Sequence, residues 1–264
     1  MRAARRRGAR AVLRAPLEPR HYVALVNFLR VFPRPWHVLA RYLLGRGEYP
    51  FACDVRTPTG RIRVTTYSPD DVVTVVEVFA RLDYAAPGDL RLAVDFGANI
   101  GVASLYFLTR NRTARCHAYE PVPVNADRFR RNLAGFEGRY VLREVAVATA
   151  GGQTEFGVEP TGRYGGIGVA TGETIRVDAR GVNDVLAEIV AEDGEIDVLK
   201  IDIEGLEEAV VRAIRPELLD RVRLVYLESE RPLEALHADR FVRSRRGQCE
   251  RLERRDDRVP AAPP

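Results

Sequence analysis

The hydrophobic pattern of the chain changes repeatedly from a short apolar run to apolar residues at helical spacing. In the clearest example, the apolar run 90–96 is followed by a glycine-containing loop at 97–101 and by a helical repeat that begins at Val102. This pattern predicts a strand, a tight loop and a helix. Further strands are predicted at 116–119, 140–148, 196–203 and 222–227. Because helical repeats separate most of these strands, we expect an α/β fold with helices on both faces of a parallel sheet.

The first third of the chain has a pattern of its own. Apolar residues predict two short helices within 20–44, separated by prolines, and a hairpin within 51–66. The helices need a surface to cover, and two compatible interpretations stay open: a helical cap on the main sheet, or a lid or dimer contact over the substrate entrance. Ser68 followed by Asp70 and Asp71 predicts a helix start, so we interpret these two acids as caps rather than catalysts.

Two later segments give weaker signals. Residues 151–172 are rich in glycine and predict either a plain exposed hairpin or a mobile loop that contacts the substrate. Beyond residue 233 the apolar pattern fades, and Leu252 marks either a residual strand or part of a solvated tail. The far edge of the sheet is therefore left open.

The loop at 97–101 is the first candidate for ligand binding. A glycine lets a ligand approach the backbone closely, and loops at the carboxyl ends of parallel strands line nucleotide-type pockets. A dinucleotide fingerprint would need glycines at positions 97, 99 and 102, but Asn99 and Val102 occupy the last two. Asp95, at the end of the strand, would repel a pyrophosphate and attract an ammonium or a sulfonium. These features favour S-adenosylmethionine over a dinucleotide.

The motif D-F-G-A-N-I-G at 95–101 resembles the first motif of class I methyltransferases. Together with K-I-D-I-E-G at 200–205 and the upstream stretch 70–84, it resembles the FkbM family of S-adenosylmethionine-dependent methyltransferases, over about residues 51–230. The resemblance implies a doubly wound, Rossmann-like methyltransferase sheet with at least five parallel strands in the order 3-2-1-4-5. It also implies methylation of a hydroxyl on a small molecule or sugar, such as a secondary metabolite or glycan.

The expected cofactor-binding residues lie in the first loop and near the ends of neighbouring strands. They are Asp95, Gly97, Ala98, Asn99, Gly101, Glu120, Pro121, Ala146 and Tyr84. Glu120 follows the second strand, where its carboxylate is placed to accept both ribose hydroxyls, although an acid near a helix start is also favoured by the helix dipole. Ala146 is expected to form a wall for adenine. The family resemblance implies that Tyr84 is an aromatic residue close to the cofactor.

The expected catalytic residues are Lys200, Asp202 and Glu204. Charges in so apolar a strand should pair or face a polar cavity. We expect Asp202 to take or orient the proton of the acceptor, with Glu204 assisting. The alternative role of Asp202 is an ion pair with Lys200, and that of Glu204 is a favourable charge at a helix N-terminus. The carboxylates would also suit a divalent metal, which the spacing does not demand.

Three further residues have side chains that can accept a proton. Glu228 follows the fifth strand, at the same predicted edge of the sheet, and is a further candidate for the proton acceptor. His237 lies in an irregular stretch, so a role as a base stays open. His117 lies within the second strand and is interpreted as structural.

Composition limits the class of protein. The 264 residues carry a net charge of +4, but the first ten include five arginines and no acid. The remainder is nearly neutral, which does not indicate nucleic-acid binding. For the basic tail itself, a solvated or wrongly assigned start is favoured over binding of RNA or anionic lipid. Three widely spaced cysteines give no disulfide framework and favour the reducing cytoplasm. We expect no membrane span and no signal peptide, and a homodimer stays open.

The predicted organisation combines these observations. It comprises a disordered basic tail at 1–16, an N-terminal cap at 17–89, an S-adenosylmethionine-binding core at 90–232 and a poorly determined C-terminal segment at 233–264. An O-methyltransferase is the favoured function. A catalytically impaired binding or assembly protein on the same fold is the alternative, and an NAD-dependent oxidoreductase is disfavoured by the loop spacing and Asp95.

Overall fold

A computed structural model of the protein describes residues 19–159, 165–167, 173–203, 205–229, 239–246 and 249–255. The chain divides into two compact units, one comprising Met1–Arg56 with Arg61–Leu82 and the other Thr57–Gly60 with Asp83–Pro264. The predicted tail at 1–16 lies outside the described residues. Within the described part of the chain, none of the helices combines the length and the apolar character that a transmembrane segment requires.

The N-terminal unit contains the two helices and the hairpin that the sequence predicts. Its described elements are helices α1 Pro19–Val31 and α2 Pro35–Leu44, strands β1 Phe51–Thr57 and β2 Gly60–Thr66, helix α3 Pro69–Val76 and a π-helical turn Glu77–Arg81. Pro35 is the first residue of α2, a position where the missing N–H removes no helical hydrogen bond. The break between the two helices therefore follows from proline chemistry.

Helix α3 begins with a capping box. The Ser68 hydroxyl accepts a hydrogen bond from the Asp71 N–H at 3.2 Å, and the Asp71 carboxylate accepts one from the Ser68 N–H at 3.0 Å. The prediction that Asp71 is a cap is confirmed. Val72, Val75 and Val76 form the buried face of this helix.

The C-terminal unit alternates strands and helices. Its elements are β3 Leu92–Phe96, α4 Val102–Leu108, β4 Arg115–Tyr119, α5 Pro123–Asn132, β5 Tyr140–Arg143, β6 Ala146–Ala148, β7 Gly152–Val158, β8 Gly165–Ile167, β9 Glu173–Gly181, α6 Val182–Asp193, β10 Ile196–Ile201, α7 Glu207–Ala213, α8 Pro216–Leu219, β11 Val222–Glu228, β12 Phe241–Arg246 and β13 Cys249–Arg254. The main sheet has the order β12-β13-β11-β10-β3-β4-β5. Strands β11, β10, β3, β4 and β5 are parallel, so the predicted order 3-2-1-4-5 is confirmed.

The register of the central strands decides which side chains meet. All five residues of β3 are buried, as its place between β4 and β10 requires. Asp95 lies opposite Ala118 of β4 and Lys200 of β10. The carboxyl ends of the three strands therefore meet at one edge of the sheet, next to the loop at 97–101.

The C-terminal segment completes the sheet. Strand β13 pairs antiparallel with β11, and β12 pairs antiparallel with β13. Leu252 and Phe241 are buried in the main core, so the strand interpretation of Leu252 is correct. The buried carboxylate of Glu250 is held by Arg243 and Arg245, with N–O distances of 2.7 Å to each. The many arginines that weaken the apolar pattern here therefore belong to a paired edge.

Residues 140–148 form two strands rather than the predicted one. Strand β5 belongs to the main sheet, whereas β6 belongs to a second sheet of order β6-β9-β7-β8. Strands β7 and β9 pair antiparallel, as expected for the hairpin interpretation of the glycine-rich segment. Phe156, Val177 and Ala146 contribute to a small core of their own. The expected acceptor contacts of residues 160–164 and 168–172 lie outside the described residues.

Candidate functional site

The loop between β3 and α4 has a backbone conformation that residues other than glycine seldom adopt. Gly97, Asn99 and Gly101 have φ of 76°, 48° and 86°, all in the left-handed region. A Cβ on Gly97 would lie 1.8 Å from the carbonyl oxygen of Asp202, so the end of β10 approaches the loop at a distance that only glycine permits. A Cβ on Gly101 would lie 2.4 Å from Leu133 Cδ1. Both glycines are therefore fixed by packing as well as by φ.

The backbone amides of this loop are already engaged. The N–H groups of Gly97 and Ala98 both donate to the carbonyl oxygen of Tyr119 at 3.0 Å, and Gly101 N–H donates to the Ala98 carbonyl at 2.8 Å. Asn99 N–H donates to Glu120 at 2.8 Å. A loop that binds pyrophosphate presents free amides to the anion. This loop presents few free amides, which agrees with the sequence argument against binding of a dinucleotide.

The side chain of Asn99 supplies an unused acceptor. Its Oδ1 is buried and accepts no hydrogen bond from the described residues. A buried carbonyl oxygen without a donor is costly, so such an atom in a ligand-type loop fits a site that a hydrogen-bond donor completes. S-adenosylmethionine carries such donors on its ammonium, ribose and adenine groups.

Glu120 lies at the end of β4 with its carboxylate buried. Oε2 accepts the Asn99 N–H at 2.8 Å, while Oε1 accepts the Val122 N–H at 3.0 Å and Asn125 Nδ2 at 3.4 Å. Burial raises the pKa of Glu120 to about 7, against the lowering effect of these hydrogen bonds. A carboxylate offers about four lone-pair sites, so roughly one remains for a ligand. The contact of Glu120 with the ribose hydroxyls stays a prediction.

Pro121 and Ala146 are two further expected cofactor-binding residues. Pro121 is buried between β4 and α5. Ala146 is 4% exposed and belongs to the same small core as Val122. The wall for adenine stays a prediction, because Ala146 lies in the second sheet instead of ending a strand of the main one.

Asp95 and Lys200 form a buried ion pair beneath the loop. Asp95 is fully buried, and its Oδ1 lies 3.0 Å from Lys200 Nζ. Its Oδ2 accepts a hydrogen bond from Ser104 Oγ at 2.7 Å. Both carboxylate oxygens of Asp95 are thus bound by the protein, so Asp95 supports the loop from below. The direct contact with a cationic ligand expected from the sequence stays untested.

Lys200 connects three parts of the site. Its ammonium donates to the Gly97 carbonyl at 3.0 Å and lies 3.3 Å from Asp202 Oδ2, in addition to its contact with Asp95. Burial lowers the pKa of Lys200, but the negative charges of Asp95 and Asp202 outweigh burial and the pKa is raised overall. The lysine therefore stays charged and ties the loop to the end of β10.

Asp202 is the partly exposed member of this charged group. Its side chain is 26% exposed, whereas those of Lys200 and Asp95 are almost completely buried. Oδ2 accepts a hydrogen bond from Tyr84 OH at 3.4 Å, and the Asp202 N–H donates to the Phe96 carbonyl at 3.1 Å. The ion pair with Lys200 considered in the sequence analysis is present. Asp202 is thus the one carboxylate of this group, Asp95 and Asp202, that is partly open to solvent.

Tyr84 packs beside the charged group. Burial, followed by the negative charge of Asp202, raises the pKa of Tyr84 well above its usual range, so the phenol stays protonated and acts as a donor. Its ring meets that of Tyr226 edge-on at 5.7 Å. Tyr226 OH in turn donates to the Ala85 carbonyl. Tyr84 is thus held in place from two sides. Its expected contact with the cofactor stays a prediction.

Two predicted residues lie outside the described part of the chain, and two other residues near the site were not predicted from the sequence. Glu204 and His237 lie outside the described residues. Glu207, missed by the sequence analysis, accepts the N–H groups of Ile203 at 3.1 Å and Gly205 at 2.9 Å, and burial raises its pKa. An acid in the first turn of a helix just after a glycine was the available signal. The sequence did not indicate a role for Ser104, because a helical repeat does not show that this side chain faces Asp95.

The remaining candidates are placed as follows. Glu228 ends β11 opposite Cys249 of β13. His117 is buried, with Nε2 3.2 Å from Asp193 Oδ2 at the end of α6, in agreement with a structural role. Among the described residues, no three His, Cys, Asp or Glu side chains are grouped as metal ligands. The metal alternative is not otherwise tested.

Comparisons with known proteins give a family match and relatives. The family model described as Methyltransferase FkbM domain matches residues 95–247. The chain is 30% identical over 145 residues to the AMB antimetabolite synthetase AmbE of Pseudomonas aeruginosa, covering 55% of this chain and 6% of that protein. It is 30% identical over 196 residues to the methyltransferase sdnD of Sordaria araneosa, covering 56% of this chain and 71% of that protein. The chain thus spans a small fraction of the synthetase and most of sdnD.

A solved structure is similar at lower identity. The crystal structure of a methyltransferase from Geobacter sulfurreducens is 17% identical, with a TM-score of 0.38 over 64% of this chain and 72% of that chain.

Proposed function

Because this chain belongs to the FkbM methyltransferase domain family, we propose that it methylates a hydroxyl group of a small molecule or sugar, with S-adenosylmethionine as the methyl donor. The observation that carries the acceptor assignment is the position of Asp202. This carboxylate is partly exposed, next to the cofactor-type loop, and is fixed by Lys200 and Tyr84. The relatives named as a methyltransferase and an antimetabolite synthetase support a small-molecule acceptor.

We assign cofactor binding to the loop 97–101 and Glu120. The bound cofactor would supply an electrophilic methyl group. Glu120 has about one lone-pair site left for a ribose hydroxyl. Asn99 Oδ1, which lacks a donor among the described residues, supplies a second acceptor. Glycine at position 97 admits the end of β10, which brings Asp202 next to this loop.

Asp202 would act on the acceptor hydroxyl. The contacts of Lys200 and Tyr84 with Asp202 are both to Oδ2, and no hydrogen bond from the described residues reaches Oδ1. In the proposed step, the acceptor hydroxyl donates its proton toward Oδ1 while its oxygen lone pair is directed at the methyl group. Lys200 and Tyr84 position the carboxylate. Glu204 stays a predicted assistant.

The two competing functions are weakened by separate observations. A chain that keeps the fold without its activity would fit the faded apolar pattern beyond residue 233, but among the described residues β12 and β13 continue the sheet there. The oxidoreductase alternative needs a pyrophosphate-binding loop, and the amides of Gly97, Ala98, Asn99 and Gly101 already donate to protein acceptors.

Turnover of radiolabelled S-adenosylmethionine with a panel of hydroxylated small molecules and sugars tests the proposal. We expect label to appear on a hydroxylated acceptor and calorimetry to show binding of S-adenosylmethionine but not of NAD. Cofactor binding without label transfer to any acceptor would support the binding-protein alternative. The cytoplasmic location and the oligomeric state stay predictions.

A further inference from the structure

The N-terminal unit exposes an unusual amount of apolar surface. Of the nine large apolar side chains that are exposed among the described residues, six lie in α1 and α2. These six, which we call the outer apolar face, are Leu25, Val26, Leu29, Trp36, Leu43 and Leu44. Trp36 is 71% exposed and Leu44 is 68% exposed. Single exposed apolar residues are ordinary, but a group of this kind marks an interaction surface.

The outer apolar face follows the helical repeat. In α2, Trp36, Ala40, Leu43 and Leu44 are spaced as i, i+4, i+7 and i+8, so they share one side of the helix. All four are exposed, whereas Val38 on another side is 2% exposed. A helix that only covered a core would turn this stripe inward. Helix α2 therefore has a buried contact and, separately, an apolar side directed outward.

Helix α1 repeats this arrangement. Leu25, Val26 and Leu29 are spaced as i, i+1 and i+4 and are exposed, while Phe28 is 5% exposed and Phe32, just beyond the helix, is fully buried. The aromatic residues anchor the helix to its own unit. The aliphatic residues stay exposed on the helix, where a partner can contact them.

The charge of the same region is strongly positive. Residues 1–50 contain 11 arginines and two glutamates, a net charge of +9, and the remaining residues sum to −5 because 30 basic residues oppose 35 acidic ones. Within the described part of this region, Arg20, Arg30, Arg34, Arg41 and Arg46 oppose Glu48 alone. A charge asymmetry of this size between parts of a chain is typical of proteins that bind an anionic surface.

The exposed apolar residues and the arginines together indicate which kind of partner this region can bind. A second copy of this face would bring two strongly positive regions together, which is unfavourable. A nucleic acid would neutralise the arginines but would leave the leucines and Trp36 without an apolar environment. An anionic lipid surface satisfies both, because apolar side chains and tryptophan insert at the headgroup level while arginines contact lipid phosphates.

We propose that the outer apolar face, together with the arginines of the same segment 20–46, docks the N-terminal unit onto an anionic lipid surface, as a peripheral contact that does not span the bilayer. Apolar insertion and basic charge supply the two signals that stable peripheral binding requires. The proposal is independent of the methyltransferase assignment, since it concerns none of the residues placed at the candidate site.

Trp36 provides a direct test because it is the only tryptophan of the chain. Its fluorescence is measured on the full, unmodified protein with vesicles of phosphatidylcholine alone and with vesicles containing about one third phosphatidylglycerol. We expect a blue shift and protection from aqueous quenchers with the anionic vesicles only. The effect should weaken when salt is raised from about 0.1 M to about 0.5 M. An emission spectrum unchanged by anionic vesicles would overturn the proposal.

Vesicle co-sedimentation of variants identifies the surface. We expect Leu43→Gln with Leu44→Gln to weaken binding by about tenfold or more. The control is Val141→Gln with Val242→Gln, which replaces two exposed apolar residues of the other unit. They are 42% and 51% exposed, against 63% and 68% for Leu43 and Leu44. Equal binding of both double variants would contradict the assignment. So would loss of self-association in the Leu43/Leu44 variant without any vesicle binding of the wild type, or binding of an oligonucleotide in place of vesicles.

Discussion

The chemistry proposed for this site depends on which carboxylate an acceptor can reach. Asp95 and Asp202 both contact Lys200, at 3.0 Å and 3.3 Å. Asp95 is fully buried and has a second donor in Ser104, so its role is to hold the lysine and the loop. Asp202 stands at the end of β10 with part of its side chain in solvent. A single lysine therefore fixes one structural and one accessible carboxylate.

Asp202→Asn separates catalysis from structure. The amide keeps the shape of the side chain but cannot take a proton, so turnover should fall by roughly 10²–10⁴-fold while cofactor binding and the thermal midpoint stay close to wild type. Single-turnover rates and thermal melts on the same preparation measure both. A large loss of stability with a normal rate would show that Asp202 is only the structural partner of Lys200.

A control for this variant is available in the same strand. Asp197 accepts the N–H groups of Arg91 and Leu92 at 2.7 Å and 3.0 Å, at the opposite end of β10. Asp197→Asn should therefore lower the thermal midpoint and leave the rate of the folded enzyme unchanged.

Glu120 should make both stability and cofactor binding depend on pH. Its pKa in the folded protein is about 7, above the ordinary value of 4.5, so the folded state binds the proton more tightly than the unfolded state. Stability is therefore greatest below the unfolded pKa and falls as pH rises toward 7, by on the order of 3 kcal/mol in total. Over the same range, ionisation should strengthen acceptance of a ribose hydroxyl.

Glu120→Gln tests this linkage, because an amide does not titrate. Denaturant unfolding between about pH 5 and pH 8 should show the wild type losing stability relative to the variant. Calorimetry should show S-adenosylmethionine affinity rising with pH in the wild type only, and reduced about tenfold or more in the variant near pH 8. Parallel pH profiles for the two proteins would show that Glu120 is not the group responsible.

At the scale of elements, the site depends on how closely the end of β10 approaches the loop after β3. The Asp202 carbonyl oxygen occupies the space where a Cβ of residue 97 would lie, and the Lys200 ammonium binds the Gly97 carbonyl. The N–H of Asp202 also donates to the Phe96 carbonyl. Strand β10 and the loop 97–101 are therefore one connected pair, so a change in either should disturb both the proposed cofactor binding and the proposed chemistry.

Gly97→Ala should disrupt this pair. The added Cβ meets backbone at 1.8 Å, so the loop or the strand end must move, and stability should fall by more than the roughly 1–3 kcal/mol that left-handed φ alone costs. Gly138→Ala is the matched control, since Gly138 has φ of 80°, close to the 76° of Gly97, but has open space around it. Equal losses of thermal midpoint in the two variants would show that φ strain alone is responsible.

At the scale of the whole molecule, the C-terminal strand pair extends the main sheet beyond β11 and covers the edge of that strand. Phe241 and Leu252 enter the main core, and Glu250 is held by two arginines across the pair. Without these strands β11 would be an open edge beside exposed core residues, which is a setting for aggregation.

Truncation before residue 239 should therefore give insoluble or strongly destabilised protein. Each buried large apolar side chain that is lost costs about 2–5 kcal/mol. A chain ending at Arg255 retains β12 and β13 and is the control. Soluble expression and the thermal midpoint are the measurements, and a stable truncated protein with a normal melt would contradict the role assigned to the strand pair.

Local sequence patterns were sufficient for much of the fold. The alternation of strand and helix signals, the helix break at the prolines, the capping box of Asp71 and the loop 97–101 all depend on residues close together in the chain. Backbone φ, capping and periodic burial are local properties, so a single sequence displays them. The family resemblance added the strand order, which the structure confirms.

Contacts between distant segments were decided only by the tertiary structure. The sequence placed Asp95 and Lys200 in two strands, but only the parallel register sets them opposite each other and brings the Asp202 carbonyl against Gly97. Likewise, only sheet pairing splits residues 140–148 between two sheets and joins β13 to β11. The physical reason is that register and pairing depend on the packing of whole strands and helices, whereas a local apolar pattern shows only that a residue is buried.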